Sequence, residues 1–215
     1  MLGAGCASEP ELGVDASESP AQSRRVLLIV NRQSPDSVAL GRYYAARRRI
    51  PKANVVMVET TDSEEIARAD FDKLLAKPAL AAIKSLPYQI DFIVTTKGVP
   101  IRFSDYGGYS TDAHLAAMKL SFPAIERLEP EQLNRAINPY FGKREPFSSK
   151  KYGFYLVTRL DGYTLQSARA LVDRSLAARP QKGPFLLDAA GNRQGGAYGD
   201  LQSALASAGR QLNSN

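Results

Sequence analysis

The sequence predicts a three-layer α/β/α domain built on a mainly parallel central sheet of about five strands, and three observations carry that prediction. From Arg25 onward, short β-branched apolar runs alternate with segments of helical periodicity. The first run, VLLIVN, is continuously apolar, as in strands covered on both faces. Polar and charged residues gather where the runs end, the pattern of a sheet whose carboxyl edge carries a site.

Each element follows from local chemistry. Val26 to Asn31 is the first strand. The helix after it starts at Ser34 as N-cap, with Pro35 at the first helical position and Asp36 in the first turn. Val38, Ala39, Tyr43 and Ala46 then recur at helical spacing and are expected to face the sheet. Ile50-Pro51 ends this helix, because the residue before proline is driven out of the helical region. Asn54 to Thr60 is the second strand, expected at the periphery, and Arg68 to Ser85 a helical region that Pro78 should kink or split. Asp91 to Gly98, Phe154 to Gly162 and Pro184 to Gly191 are the third, fourth and fifth strands. Between the last two, Thr164 caps a helix striped by Leu165, Ala168, Leu171, Val172 and Leu176.

With 215 residues and 44% hydrophobic content, the chain suffices for one large core without staples. One cysteine excludes an internal disulfide, and one histidine argues against an all-nitrogen zinc site, so neither metal nor cofactor is expected. The net charge of +6 arises from 28 basic residues mixed with 22 acidic ones. The densest run, Arg47 to Arg49, falls at a helix end that favours cations, and no nucleic-acid signature accompanies it. No run reaches the roughly 20 apolar residues of a membrane span.

Residues 1–23 form a polar leader too poor in large apolar side chains to fold, and 24–215 a single domain. Gly5-Cys6 after small residues resembles the end of a lipoprotein signal, which would make Cys6 a lipid anchor; the alternative is a plain thiol in a disordered leader. Residues 99–153 exceed an ordinary connection of about two to six residues, which indicates an insertion that serves function or covers the sheet. The terminal helix has no strand after it, as in a truncated chain.

The strand ends define the candidate site. Asn31, Lys97, Arg159, Asp161 and Asp188 should converge on one rim if the strands are parallel, with Arg102 closing the site from the insertion. Arg159, held by Asp161, would orient a guanidinium toward an anionic or polyhydroxy small molecule or glycan. A purely structural ion pair is the competing reading. Asp161, Asp188 and His114 are the candidates for acid or base work. The aromatic-basic stretch around Tyr140, Phe147 and Tyr152 either stacks on sugars or bases or packs a long loop onto the sheet.

The segments LLIVNRQSPDSVALGRYYAARRRIP, DFIVTTKGVPIR, NPYF and YLVTRLDGYT together resemble a bacterial family of unassigned activity found in species with the exosortase protein-sorting system. The resemblance runs from about Arg25 to Asp188. It implies an extracytoplasmic protein, periplasmic or lipid-anchored, with a role in envelope or extracellular-matrix biology, and a longer chain than this one. More distantly, the strand-helix order is similar to the caspase-like fold of gingipain peptidases. That fold places histidine and cysteine where this sequence has Lys97-Gly98 and Arg159-Asp161-Gly162, so cysteine-peptidase activity is not expected. The readings in play are a binding protein, a hydrolase or transferase using Asp161 or Asp188 with Lys97 or Arg159, and an interaction module presenting residues 99–153.

Overall fold

Side-chain parity along the first strand sets the layers. In β1 (Val26–Asn31), Leu27 and Ile29 join one buried cluster while Leu28 and Val30 join another, so the strand is covered on both faces. The computed structural model describes residues 20–119, 139–140, 142–179, 187 and 196–213. They divide into a unit ending at Ala177 and a second unit, Ala178–Asn215.

The main sheet has four strands, all parallel, in the order β2 (Val55–Val58), β1, β4 (Phe92–Thr96), β6 (Leu156–Leu160). The second strand is indeed at an edge. Apart from Leu187, the fifth expected strand lies outside the described residues, as do Asp188 and Cys6. Pro20–Ser23 (α1), within the stretch expected not to fold, is one helical turn, and residues 1–19 lie outside the described residues.

One face carries α2 (Pro35–Arg47) and, further along the chain, α7 (Leu165–Ala177). Ser34 caps α2 as expected, its hydroxyl accepting from the Ser37 amide at 3.3 Å. The stripe facing the sheet matches the expected one only in part: Val38 packs against the core of Leu28 and Val30, but the fully buried positions are Ser37, Leu40 and Gly41, and Ala46 is exposed. The cause is polar. Ser37 Oγ accepts from the Asn31 amide at 2.7 Å and meets Thr96 Oγ1 at 2.6 Å, which rotates the helix to place a serine inward.

The opposite face carries the helical stretch 68–85. The expected split appears as two α-helical segments, α3 (Arg68–Phe71) and α4 (Lys77–Ser85), the second with Pro78 in its first turn; a π turn, Asp72–Ala76, joins them, and the Lys77 amide reaches the Asp72 carbonyl five residues back. The widened turn accommodates the amide that proline lacks.

The insertion leaves the carboxyl edge of β4 and covers the sheet. Its β5 (Arg102–Phe103) pairs in parallel with β3 (Glu65–Ile66), and α5 (Thr111–Ala116) packs on β4 and β6. It returns through α6 (Ser149–Tyr152) to the amino edge, the crossover a parallel partner requires. Tyr140, Phe147 and Tyr152 pack on one another with ring centroids 5.1 to 5.8 Å apart, the packing reading of that segment. The second unit contains α8 (Gly196–Asn213). Among the described residues, no helix is long and apolar enough to cross a membrane.

Candidate functional site

The chain leaves β1 toward β2 on one side and later returns to β4 on the other, so the sheet order reverses between β1 and β4. Loops diverge at such a point, and ligands bind there in open α/β sheets. A cleft of about 280 Å³ lies at this position, bounded by Ser34 and Asp36 from α2, Asp62 to Glu64 from the loop after β2, Lys97 to Val99 after β4, and Asp161 after β6.

Asn31 organises the walls. It is fully buried, its Nδ2 donates to the carbonyls of Thr61 (2.9 Å) and Gly98 (2.8 Å), and its Oδ1 accepts from the amides of Gln33 (3.1 Å) and Thr60 (3.3 Å). All of its polar valence is used to tie three loops together, and in this way it shapes the cleft. Below it, Thr96 Oγ1 donates to the Ile29 carbonyl at 3.1 Å and thereby takes its hydrogen bond from Ser37 Oγ, which closes a polar floor. Gly98 is required there: its φ is +86°, and a Cβ would overlap Ser34.

Lys97 and Asp161 come together on the rim. Lys97 Nζ donates to Asp161 Oδ1 at 3.2 Å and to the Gly162 carbonyl at 2.9 Å, while the Gly162 amide donates to the same carboxylate oxygen at 2.7 Å. Both side chains remain partly exposed to the cleft.

Arg159 is directed elsewhere. The expected Arg159–Asp161 pair does not form, because β6 ends at Leu160 and Asp161 has already left the pleat. The partner of Arg159 is Asp112 in the first turn of α5, gripped by Nε at 2.8 Å and Nη2 at 2.7 Å. Nη1 and Nη2 also donate to the Val99 and Pro100 carbonyls at 2.6 and 3.0 Å. With only 14% of its side chain exposed and its donors engaged, this arginine fastens the loop behind the cleft wall.

Arg102 pairs with Glu65 at 2.8 Å, directly opposite it in the β3–β5 register, and does not border the cleft. His114 is 6% exposed among Phe71, Phe103 and Tyr106, and its Nδ1 lies 3.0 Å from the Ser110 carbonyl, which must accept. It too stands apart from the cleft lining. Two residues of the arginine run, Arg47 and Arg48, bind Asp173 and Ser175 and so join α2 to α7.

Sequence reasoning missed Asp36, Asp62, Ser63 and Glu64 as lining residues, and Asp112 as the arginine's partner. The loop Asp62 to Glu64 had a usable signal, a polar cluster just beyond a strand's carboxyl end. Asp112 had none, because nothing local shows which strand α5 will cover.

A second polar cluster lies at the opposite, amino edge. Asp91 is 1% exposed and accepts from Arg25 Nε and the Ser149 amide, both at 2.6 Å, and from Gln89. Burial works to raise its carboxyl, but the Ser149 amide, Gln89 and Arg25 together outweigh it and hold the group below the usual carboxylate range. Lys119 Nζ donates to Ser149 Oγ at 3.1 Å, and burial pushes that lysine down despite Asp91. This serine is no nucleophile: it is fully buried and its hydroxyl donates to the Ile90 carbonyl at 2.5 Å.

Among the described residues, no group of three or more His, Cys, Asp or Glu side chains is placed to hold a metal ion. The fold and the cleft together define an α/β protein with a mainly parallel sheet and a polar crevice at its switch point. No family model, curated protein or solved structure matches the chain.

Proposed function

We propose that this chain is an extracytoplasmic α/β binding protein that holds a small polyhydroxy ligand in the cleft between β1 and β4. The observation that carries the reading is the Lys97–Asp161 contact at 3.2 Å, which sets a donor and an acceptor side by side on the rim of a crevice at the topological switch point. Of the two ligand classes the sequence allows, the lining favours the polyhydroxy one. Four carboxylates stand against one ammonium, so an anion would meet repulsion, whereas hydroxyls can donate to the carboxylates and accept from Lys97. The volume lies near the lower end of the roughly 300–1,000 Å³ typical of ligand pockets, a size for one or two sugar-like units. The motif resemblance supports an exosortase-related envelope or extracellular-matrix setting.

The same contact supports a second reading, a hydrolase or transferase with Asp161 as base and Lys97 stabilising developing negative charge. Turnover of a bound ligand that Asp161→Asn abolishes would establish it.

Ligand-observed NMR with neutral sugars and polyols, set against uronic acids and sugar phosphates, tests the binding reading. Neutral compounds should bind, and Lys97→Met should remove that binding. The lysine's pair is part-exposed, so its loss should cost no more than about 1 kcal/mol of stability. Binding restricted to the anionic compounds, or binding unaffected by Lys97→Met, overturns the reading.

A further inference from the structure

We infer that Tyr163 is a stacking platform for a pyranose ring at the mouth of this cleft, so that the ligand is a cyclic sugar and not an open-chain polyol. The inference rests on the binding reading above and extends it to a substrate class. Tyr163 is fully exposed, at 103%, more so than any other large hydrophobic side chain among the described residues. An aromatic ring left in water forgoes the burial of roughly 150–250 Å² that usually justifies its presence. Tyr109, also exposed, at least packs beside Tyr106 with centroids 5.6 Å apart.

Position gives the exposed ring a use. Tyr163 follows Gly162, whose carbonyl accepts from Lys97 Nζ at 2.9 Å, and stands two residues from Asp161 in the cleft lining. The backbone that carries it is fixed on both sides. Before it, the Gly162 amide is tied to Asp161 at 2.7 Å; after it, Thr164 and Ser167 cap α7 reciprocally, amide to hydroxyl, at 3.0 and 3.1 Å. Gly162 is also pressed against Ser167, so a side chain there would collide with the cap. A free ring on a rigid mount loses little entropy when a ligand lands on it.

A pyranose matches the two surfaces. Its ring carries a face of C–H groups that suits an aromatic plane and a rim of hydroxyls that suits carboxylates and an ammonium. An open-chain polyol has hydroxyls but no persistent flat face.

The test is a titration of the full chain, wild type and the variants Tyr163→Ala, Tyr163→Phe and Lys97→Met, against an array of neutral glycans of gluco, manno and galacto configuration, with sorbitol as the open-chain probe. Tyr163→Ala should weaken binding of the retained glycan by roughly tenfold or more, the value of one aromatic stack. Tyr163→Phe should bind it like wild type, sorbitol should be insensitive to both changes, and Lys97→Met should lose the glycan. Wild-type glycan affinity in Tyr163→Ala, with loss in Lys97→Met, overturns the platform and leaves the cleft reading intact. Glycan binding by Lys97→Met at wild-type affinity, or neither glycan nor sorbitol bound by the wild type, overturns the cleft reading and this inference with it, whereas sorbitol bound without any glycan overturns this inference alone.

Discussion

Arg159 and Asn31 show how a residue at a strand end can be essential to a site without belonging to its lining. Both are polar, both stand at or next to the carboxyl end of a strand of the parallel sheet, and both donate to backbone carbonyls of the loops beyond those ends. Replacing Arg159 with Ala would strand Asp112, 75% of whose side chain is covered, and release the Val99 and Pro100 carbonyls. We expect Arg159→Ala to destabilise the protein by about 3 kcal/mol in urea denaturation, toward the low end for a broken buried pair because both partners keep some exposure. A loss under about 1 kcal/mol would place this pair with ordinary surface bridges and restore the arginine as a ligand group. The competing reading of the sequence, a structural pair, has its counterpart in the geometry with Asp112 in the role assigned to Asp161. Identity and location of the arginine were legible; its partner was not, since a contact across 47 residues depends on where the insertion folds back.

At the scale of elements, the strands were the legible part, because β-branched runs and the proline and glycine residues that end them are local signals. The orientation of α2 was legible only in part, through Val38, which packs on the core. Apolar periodicity favoured Val38, Ala39, Tyr43 and Ala46, yet the helix turns Ser37, Leu40 and Gly41 inward, since a serine that satisfies the Asn31 amide and Thr96 outweighs an alanine's small burial. Gly41 lets α2 approach β1 closely: a Cβ there would lie 2.5 Å from Val30 Cγ2. Glycine to alanine inside a helix ordinarily stabilises by roughly 1 kcal/mol. Here the sign should reverse, and Gly41→Ala should lower stability by about 1 to 3 kcal/mol through overpacking between helix and sheet. Thermal denaturation decides it, and a raised midpoint would show that α2 can retreat without cost. The loop Asp62 to Glu64 teaches the complementary lesson. It follows a strand correctly placed at the sheet's periphery, but the reversal of strand order between β1 and β4 brings that loop to the cleft, and strand order is a property of the assembled sheet.

Across the whole molecule, parallel strands separate two polar assemblies with different tasks. The carboxyl edge carries a cleft with part-exposed charges, whereas the amino edge carries Asp91, buried and held by three donors. Asp91 joins three distant parts of the chain: Arg25 before β1, its own position at the start of β4, and Ser149 where the insertion returns. Its carboxyl is held below the usual range by the Ser149 amide, Gln89 and Arg25, which outweigh the opposing effect of burial. A carboxyl whose folded pKa lies below its unfolded value binds fewer protons in the native state, so its stabilisation is complete above the unfolded value near 3.8 and disappears as pH falls through the folded one. Wild-type stability, measured by denaturant titration at successive pH values, should therefore fall with acid below about pH 4. Asp91→Asn should start lower at neutral pH, because an amide cannot accept from all three donors as a carboxylate does, and should lose a smaller increment over the same acid interval. Parallel wild-type and variant curves through that interval would mean that other carboxylates govern the acid transition and that the amino-edge assembly does not hold the insertion to the sheet.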